Sequence, residues 1–168
     1  MAVYSKLVFP FRALSFFSLY LALNMIFYDR KMIVGKYIFN RIRYANISSP
    51  SLPSLLIEKA KKNIEYFPDF DKYNDQIFTW CITGDVFLVF LFVCMILGFL
   101  TNKPSTNFVI GGLHFIAVVL CTHLITQRAS FNFMICAVAF GILLPSLIEI
   151  FNLISILCFK NDYYVQSK

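Results

Sequence analysis

Charge is scarce in this chain: only 14% of its 168 residues are Asp, Glu, Lys or Arg, with nine acidic residues and two histidines in all. Soluble domains carry about 25% charged residues, so a water-facing globular surface is excluded. The two histidines, His114 and His123, stand nine residues apart in one apolar run, which places them about 180° apart around a helix, and they cannot share a metal. HExxH, GxSxG and phosphate-cradling glycine loops are absent, which removes the usual signatures of zinc, serine and nucleotide chemistry. Cysteine is missing from the long hydrophilic stretch, because Cys81, Cys94, Cys121, Cys136 and Cys158 all fall in apolar runs. That stretch can hold neither a disulfide framework nor a CxxC metal site, and the thiols read as small packing residues. No enzyme activity, cofactor, metal or small-molecule substrate is therefore expected.

What the chain does have is hydrocarbon: 59% hydrophobic residues, a mean hydropathy of +0.71, twenty Phe and nine Tyr. Apolar residues fill about 7–28, 77–100, 108–125 and 133–159, each near or above the roughly 18 residues of a spanning helix. The fold class expected is an all-α membrane protein, one four-span domain over residues 1–168. TNKPSTN and TQRASFN are links so short that the last three spans form an antiparallel up-down bundle. The first run holds Arg12 and lacks a small-x-small cleavage site, so it reads as a span rather than a signal peptide. Arg12 lies near its start, and its guanidinium is expected to snorkel to the headgroups.

Residues 29–76 form the expected hydrophilic loop between the first two spans. Its basic residues include Arg30, Lys31, Lys36, Arg41, Arg43, Lys59, Lys61 and Lys62. They are read as facing anionic lipid or a partner, which also accounts for the net charge of +6 without nucleic acid. In the second half Leu52, Leu55, Leu56, Ala60, Ile64 and Phe67 recur at helical spacing, fitting an amphipathic helix in the headgroup layer or on the ends of the bundle. Ten Lys/Arg on the loop side against five on the other put the loop in the cytosol by the positive-inside rule. Asn46-Ile47-Ser48, a glycosylation sequon, reads the opposite way.

Ionisable groups inside the spans cost at least about 2.5–3.5 kcal/mol unless paired, so each needs a partner. From the rise of a helix, Glu149 and His114 enter from the same membrane face and differ in depth by about 6 Å, whereas Asp85 enters from the other. The expected pairs are Glu149 with His114 and Asp85 with Asn24, with Thr83 or water as substitutes for Asn24. Pro145 should bend the last helix, and Gly141, Pro145, Glu149 and Asn152 fall within about 80° of one inward face. Two roles fit this face: an interhelical clamp, or a proton or ligand site.

LVFPFRALSFF with its early Arg, YND before the second span, GGLHF with His114, the short hairpin with Arg128, and LPSLIE ahead of Lys160 together resemble the transmembrane protein 107 family. The likeness runs over roughly 7–30 and 73–160. It implies a four-span scaffold of the ciliary transition zone in the MKS module, one that meets other transition-zone membrane proteins, supports cilium assembly and gates ciliary membrane composition. Two departures stand out. The first loop is longer and more basic than the family's, and Asp85 has no counterpart in the family pattern. The rival class is a small transport or proton-relay subunit, or an accessory chain of a larger complex in another internal membrane, using Asp85, His114 and Glu149.

Overall fold

The computed structural model of the protein describes residues 2–48, 69–97, 104–127 and 131–159, with side chains described over 7–41, 69–96, 105–126 and 131–155. Helix accounts for nearly all of them, and no strand occurs among the described residues. Helix α1 spans Ala2–Ser48, α2 Phe70–Leu97 and α3 Pro104–Gln127. The last crossing is built from α4 (Asn132–Val138), a π-helical turn (Ala139–Leu143) and α5 (Leu144–Phe159). Among the described residues, four stretches are long and apolar enough to cross a bilayer: Leu7–Arg41, Phe70–Ile96, Ser105–Thr126 and Asn132–Ser155.

Ring contacts set the register. Phe11 stacks on Phe108 at 5.9 Å and Phe16 meets His114 at 5.8 Å, so α1 and α3 run parallel. Phe16 stacks on Phe92 at 6.0 Å, Phe27 meets Phe78 at 5.8 Å and Tyr37 meets Tyr73 at 5.4 Å, so α2 runs antiparallel to α1. This is the up-down order that the short links impose. Leu19, Leu23, Ile26, Leu88, Leu91, Ile110, Leu124 and Ile142 fill the centre, while Leu14, Leu21, Val86, Val93 and Phe151 face outward as lipid-solvated side chains.

The first span differs from its expected bounds. Helix α1 is 47 residues long, about 70 Å at 1.5 Å per residue, more than twice the hydrocarbon thickness of about 30 Å. It continues through the Asp29-Arg30-Lys31 triplet because Ile26, Ile33, Val34 and Ile38 keep one buried stripe at helical spacing. Leaving the bilayer ends the need for an apolar circumference but not the helix. Helix α2 likewise starts at Phe70, seven residues before Ile77. The expected loop of 29–76 therefore shrinks at both ends. The amphipathic stretch and Lys59, Lys61 and Lys62 lie outside the described residues, as do the side chains of Arg43 and Asn46, whose backbone belongs to the end of α1.

An aromatic clasp holds the protruding part of α1. Phe131 lies 4.4 Å from Tyr37 and 4.9 Å from Tyr73, and Arg41 Nη1 donates to the Tyr73 hydroxyl at 2.9 Å. Truncating a buried Phe costs about 3–5 kcal/mol, so Phe131→Ala should free this segment. Trypsin is expected to cleave after Lys36 and Arg41 at least several-fold faster in the variant; unchanged cleavage would show that the clasp does not hold the helix.

Candidate functional site

Arg12 does not snorkel. It is only 3% exposed, and its side chain crosses to two other helices. Nη2 pairs with Glu149 Oε1 on α5, and Nη1 donates to Asn107 Oδ1 on α3 at 2.5 Å. Glu149 is 1% exposed and Asn107 3%. The approach depends on Gly111, where an added Cβ would lie 2.8 Å from the Phe11 ring and 3.3 Å from Arg12 Cα. With no side chain there, α1 settles on α3 and the guanidinium comes within reach of both partners. Ser15 Oγ donates to the Arg12 carbonyl at 3.0 Å on the same buried side.

The expected pairing of Glu149 with His114 is not formed. His114 is fully buried, neither ring nitrogen has a hydrogen-bond partner among the described residues, and its ring makes an edge contact with Phe16. Both groups enter from the face that Arg12 enters, and the guanidinium takes the carboxylate because a cation compensates its charge where a neutral imidazole would not. Glu149 Oε2 keeps no partner of its own. Depth places Arg12 about 7.5 Å from Glu149 along the membrane normal, little more than the roughly 6 Å of His114, so a signal for this pair was present; Asn107, a neutral side chain at the start of its helix, gave none.

Pro145 is buried, and a π-helical turn lies just ahead of it. The ring of Pro145 has no N–H and crowds the carbonyl four residues back, that of Gly141. Widening the turn over Ala139–Leu143 relieves this: the Leu144 N–H reaches back five residues to the Ala139 carbonyl. Ser146 Oγ donates to the Ile142 carbonyl at 2.8 Å within the same strip. Gly141 is buried against Ala117 of α3. Asn152 is half-buried and turns back on its own helix, donating to the Ile148 carbonyl at 2.8 Å.

The second expected pair is also not formed. Asn24 Nδ2 donates to the Tyr20 carbonyl at 2.9 Å, and Asp85 Oδ1 has no hydrogen-bond partner among the described residues. Among the basic residues, Lys31, Lys36 and Arg41 are exposed, but Arg30 is half-buried, with its guanidinium 4.9 Å over Phe27 and 5.5 Å over Phe78. Arg30 is thus a packing cation rather than a lipid-facing one.

Chemically the buried cluster is a closed salt bridge. Three helices are joined at one end of the bundle, the two formal charges cancel, and no group of three or more His, Cys, Asp or Glu able to hold a metal occurs among the described residues. Glu149 and Asp85 sit at different levels and share no partner. A family model, TMEM107, described as a transmembrane protein, matches residues 8–153, a stretch that includes Arg12, Asn107, His114 and Glu149. Neither a curated protein nor a solved structure matches the chain.

Proposed function

The chain belongs to the TMEM107 family of transmembrane proteins, and from that premise we propose that it is a non-enzymatic membrane scaffold of the ciliary transition zone, acting within the MKS module. In this reading its outer surfaces meet lipid and other transition-zone membrane proteins, supporting cilium assembly and the gating of ciliary membrane composition. The observation that carries the reading is the Arg12–Glu149 pair. The chain uses these two buried charges on each other, which favours fixed helix positions over transfer of protons or solutes. A relay would place successive titratable groups across the membrane, whereas Glu149 is engaged by Arg12 and Asp85 stands apart from it. The exposed Lys31, Lys36 and Arg41, beyond the hydrocarbon on the protruding helix, add a surface suited to anionic headgroups.

A fluorescently tagged copy expressed in ciliated cells should form a ring at the ciliary base. Diffuse labelling of mitochondria or endoplasmic reticulum, with none at that base, would reject the scaffold role.

A further inference from the structure

Asp85 is an acid within an apolar span whose Oδ1 meets no hydrogen-bond donor among the described residues. It lies eight residues into the apolar run that starts at Ile77, about 12 Å along the helix, near the middle of a hydrocarbon layer about 30 Å thick. Neighbouring Gly84 packs on Leu23 of α1 and on Ile142 in the π-helical turn of the last crossing. Asp85 is half-buried, its Oδ1 lies within the protein surface, and no hydrogen-bond donor among the described residues reaches that atom. Arg30 stands two turns away, its guanidinium over Phe27 and Phe78 and Nη1 donating to the Phe27 carbonyl, with Nε unpartnered among the described residues.

An apolar groove adjoins this carboxylate. About 240 Å³ in volume, it is lined by Phe16, Phe17 and Tyr20 of α1 and by Leu88, Val89 and Phe92 of α2. Asp85, Leu88, Val89 and Phe92 stand at i, i+3, i+4 and i+7, on one face of α2. The groove and the acid therefore form one strip along the seam between α1 and α2. Half the hydrocarbon thickness is about 15 Å, so lipid headgroups do not reach the acid. A second copy presenting the same face would oppose two carboxylates. A side chain from a different transmembrane helix can reach this depth, and a cationic one would complement the charge.

We propose that this strip is the docking face for a transmembrane helix of another protein, one carrying a Lys or Arg at mid-bilayer depth and bulky apolar residues one to two turns from it. The bulky residues enter the groove while the cation pairs with Asp85. The inference rests on the scaffold reading and gives the partner a chemistry.

The test uses the full chain in phosphatidylcholine vesicles with fluorescent oligoleucine transmembrane peptides. One peptide carries a single central Lys, one carries none, and one carries its Lys near an end. The central-Lys peptide is expected to associate about tenfold more tightly than the other two, a difference of about 1.4 kcal/mol, and Asp85→Leu should abolish the difference. Asp85→Leu removes an acid from an apolar span, so it should fold at least as well as the wild type, and Asp85→Asn, which keeps the shape and loses the charge, should give the same loss. Equal association of the three peptides would overturn the proposal. So would a central-Lys preference that survives Asp85→Leu, or a change in the self-association of the chain on that substitution, which would make a second copy the occupant. Since the vesicles contain no ciliary component, failure here leaves the localisation of the wild-type chain untouched, and mislocalisation in cells leaves capture of the Lys peptide untouched.

Discussion

Arg12→Leu is expected to destabilise the bundle by about 3–5 kcal/mol, the range for removing one partner from a buried ion pair. The loss comes chiefly from Glu149, left 1% exposed with no cation. Glu149→Leu should be milder, because Arg12 sits near one end of its span and its long stem can carry a stranded guanidinium toward headgroups. Glu149→Lys should be the worst of the three, setting a second cation beside Arg12 in a dry site. The decisive comparison is with the double variant Arg12→Leu/Glu149→Leu: an apolar pair of similar volume often replaces a buried salt bridge with little loss, so it should recover most of what Arg12→Leu alone loses. Thermal unfolding in detergent and membrane abundance both read the series, and a coupling of about 2 kcal/mol or more is expected between the two sites, within the range seen for networked groups. Strictly additive losses would mean that the two side chains do not act as a pair.

That pair also marks where reading a linear chain stops working. The four crossings were legible because hydrocarbon admits only long apolar stretches with internally satisfied backbones, and such stretches are plain in the sequence. Most of the inward face of the last crossing was legible too: of Gly141, Pro145, Glu149 and Asn152, placed together by 100° steps, the first three are buried and Asn152 is half-buried. Depth, however, is one coordinate of three. Arg12 and His114 enter from the same membrane face as Glu149, and only lateral packing chooses between them. The choice turns on Gly111, which lets Phe11 and Arg12 close onto α3, and nothing in the order of residues states which helices are neighbours. Asn24 and Asp85 failed to pair for the same reason: similar levels did not bring them together, and Asn24 found a carbonyl on its own helix.

The end of α1 was hidden by a different effect. Asp29, Arg30 and Lys31 look like the edge of a span, and for the bilayer they are one, but helix formation follows the buried stripe of Ile33, Val34 and Ile38 rather than the water boundary. The charged side of the stripe is carried by local devices, as where Arg30 lies on two rings and donates to the Phe27 carbonyl at 2.9 Å. An extension clasped by Tyr37, Tyr73 and Phe131 gives the bundle a rigid arm on the side where the basic residues lie. In the scaffold role proposed above, such an arm would meet a partner already ordered, without a further entropic cost on binding.

Gly141 carries the second large effect. A Cβ added there would overlap Ala117 Cβ, with Ala117 Cα and the Leu113 carbonyl oxygen each 3.5 Å away. The obstruction is a methyl fixed to a helix backbone, so no flexible side chain can yield. Gly141→Ala must push α3 from the π-helical turn, and overpacking of this kind costs about 1–3 kcal/mol, against the gain of up to about 1 kcal/mol that the same change gives in an open helix. Ala117→Gly removes the very methyl that is struck. The double variant Gly141→Ala/Ala117→Gly should therefore regain most of the unfolding midpoint lost by Gly141→Ala alone. Gly112 supplies the control, since a Cβ there meets nothing within 4 Å, and Gly112→Ala on the same helix as Ala117 should be neutral or stabilising. If Gly141→Ala and Gly112→Ala behaved alike, close approach of α3 to the widened turn would not be what holds the last crossing, and the inward placement of Glu149 would need another cause.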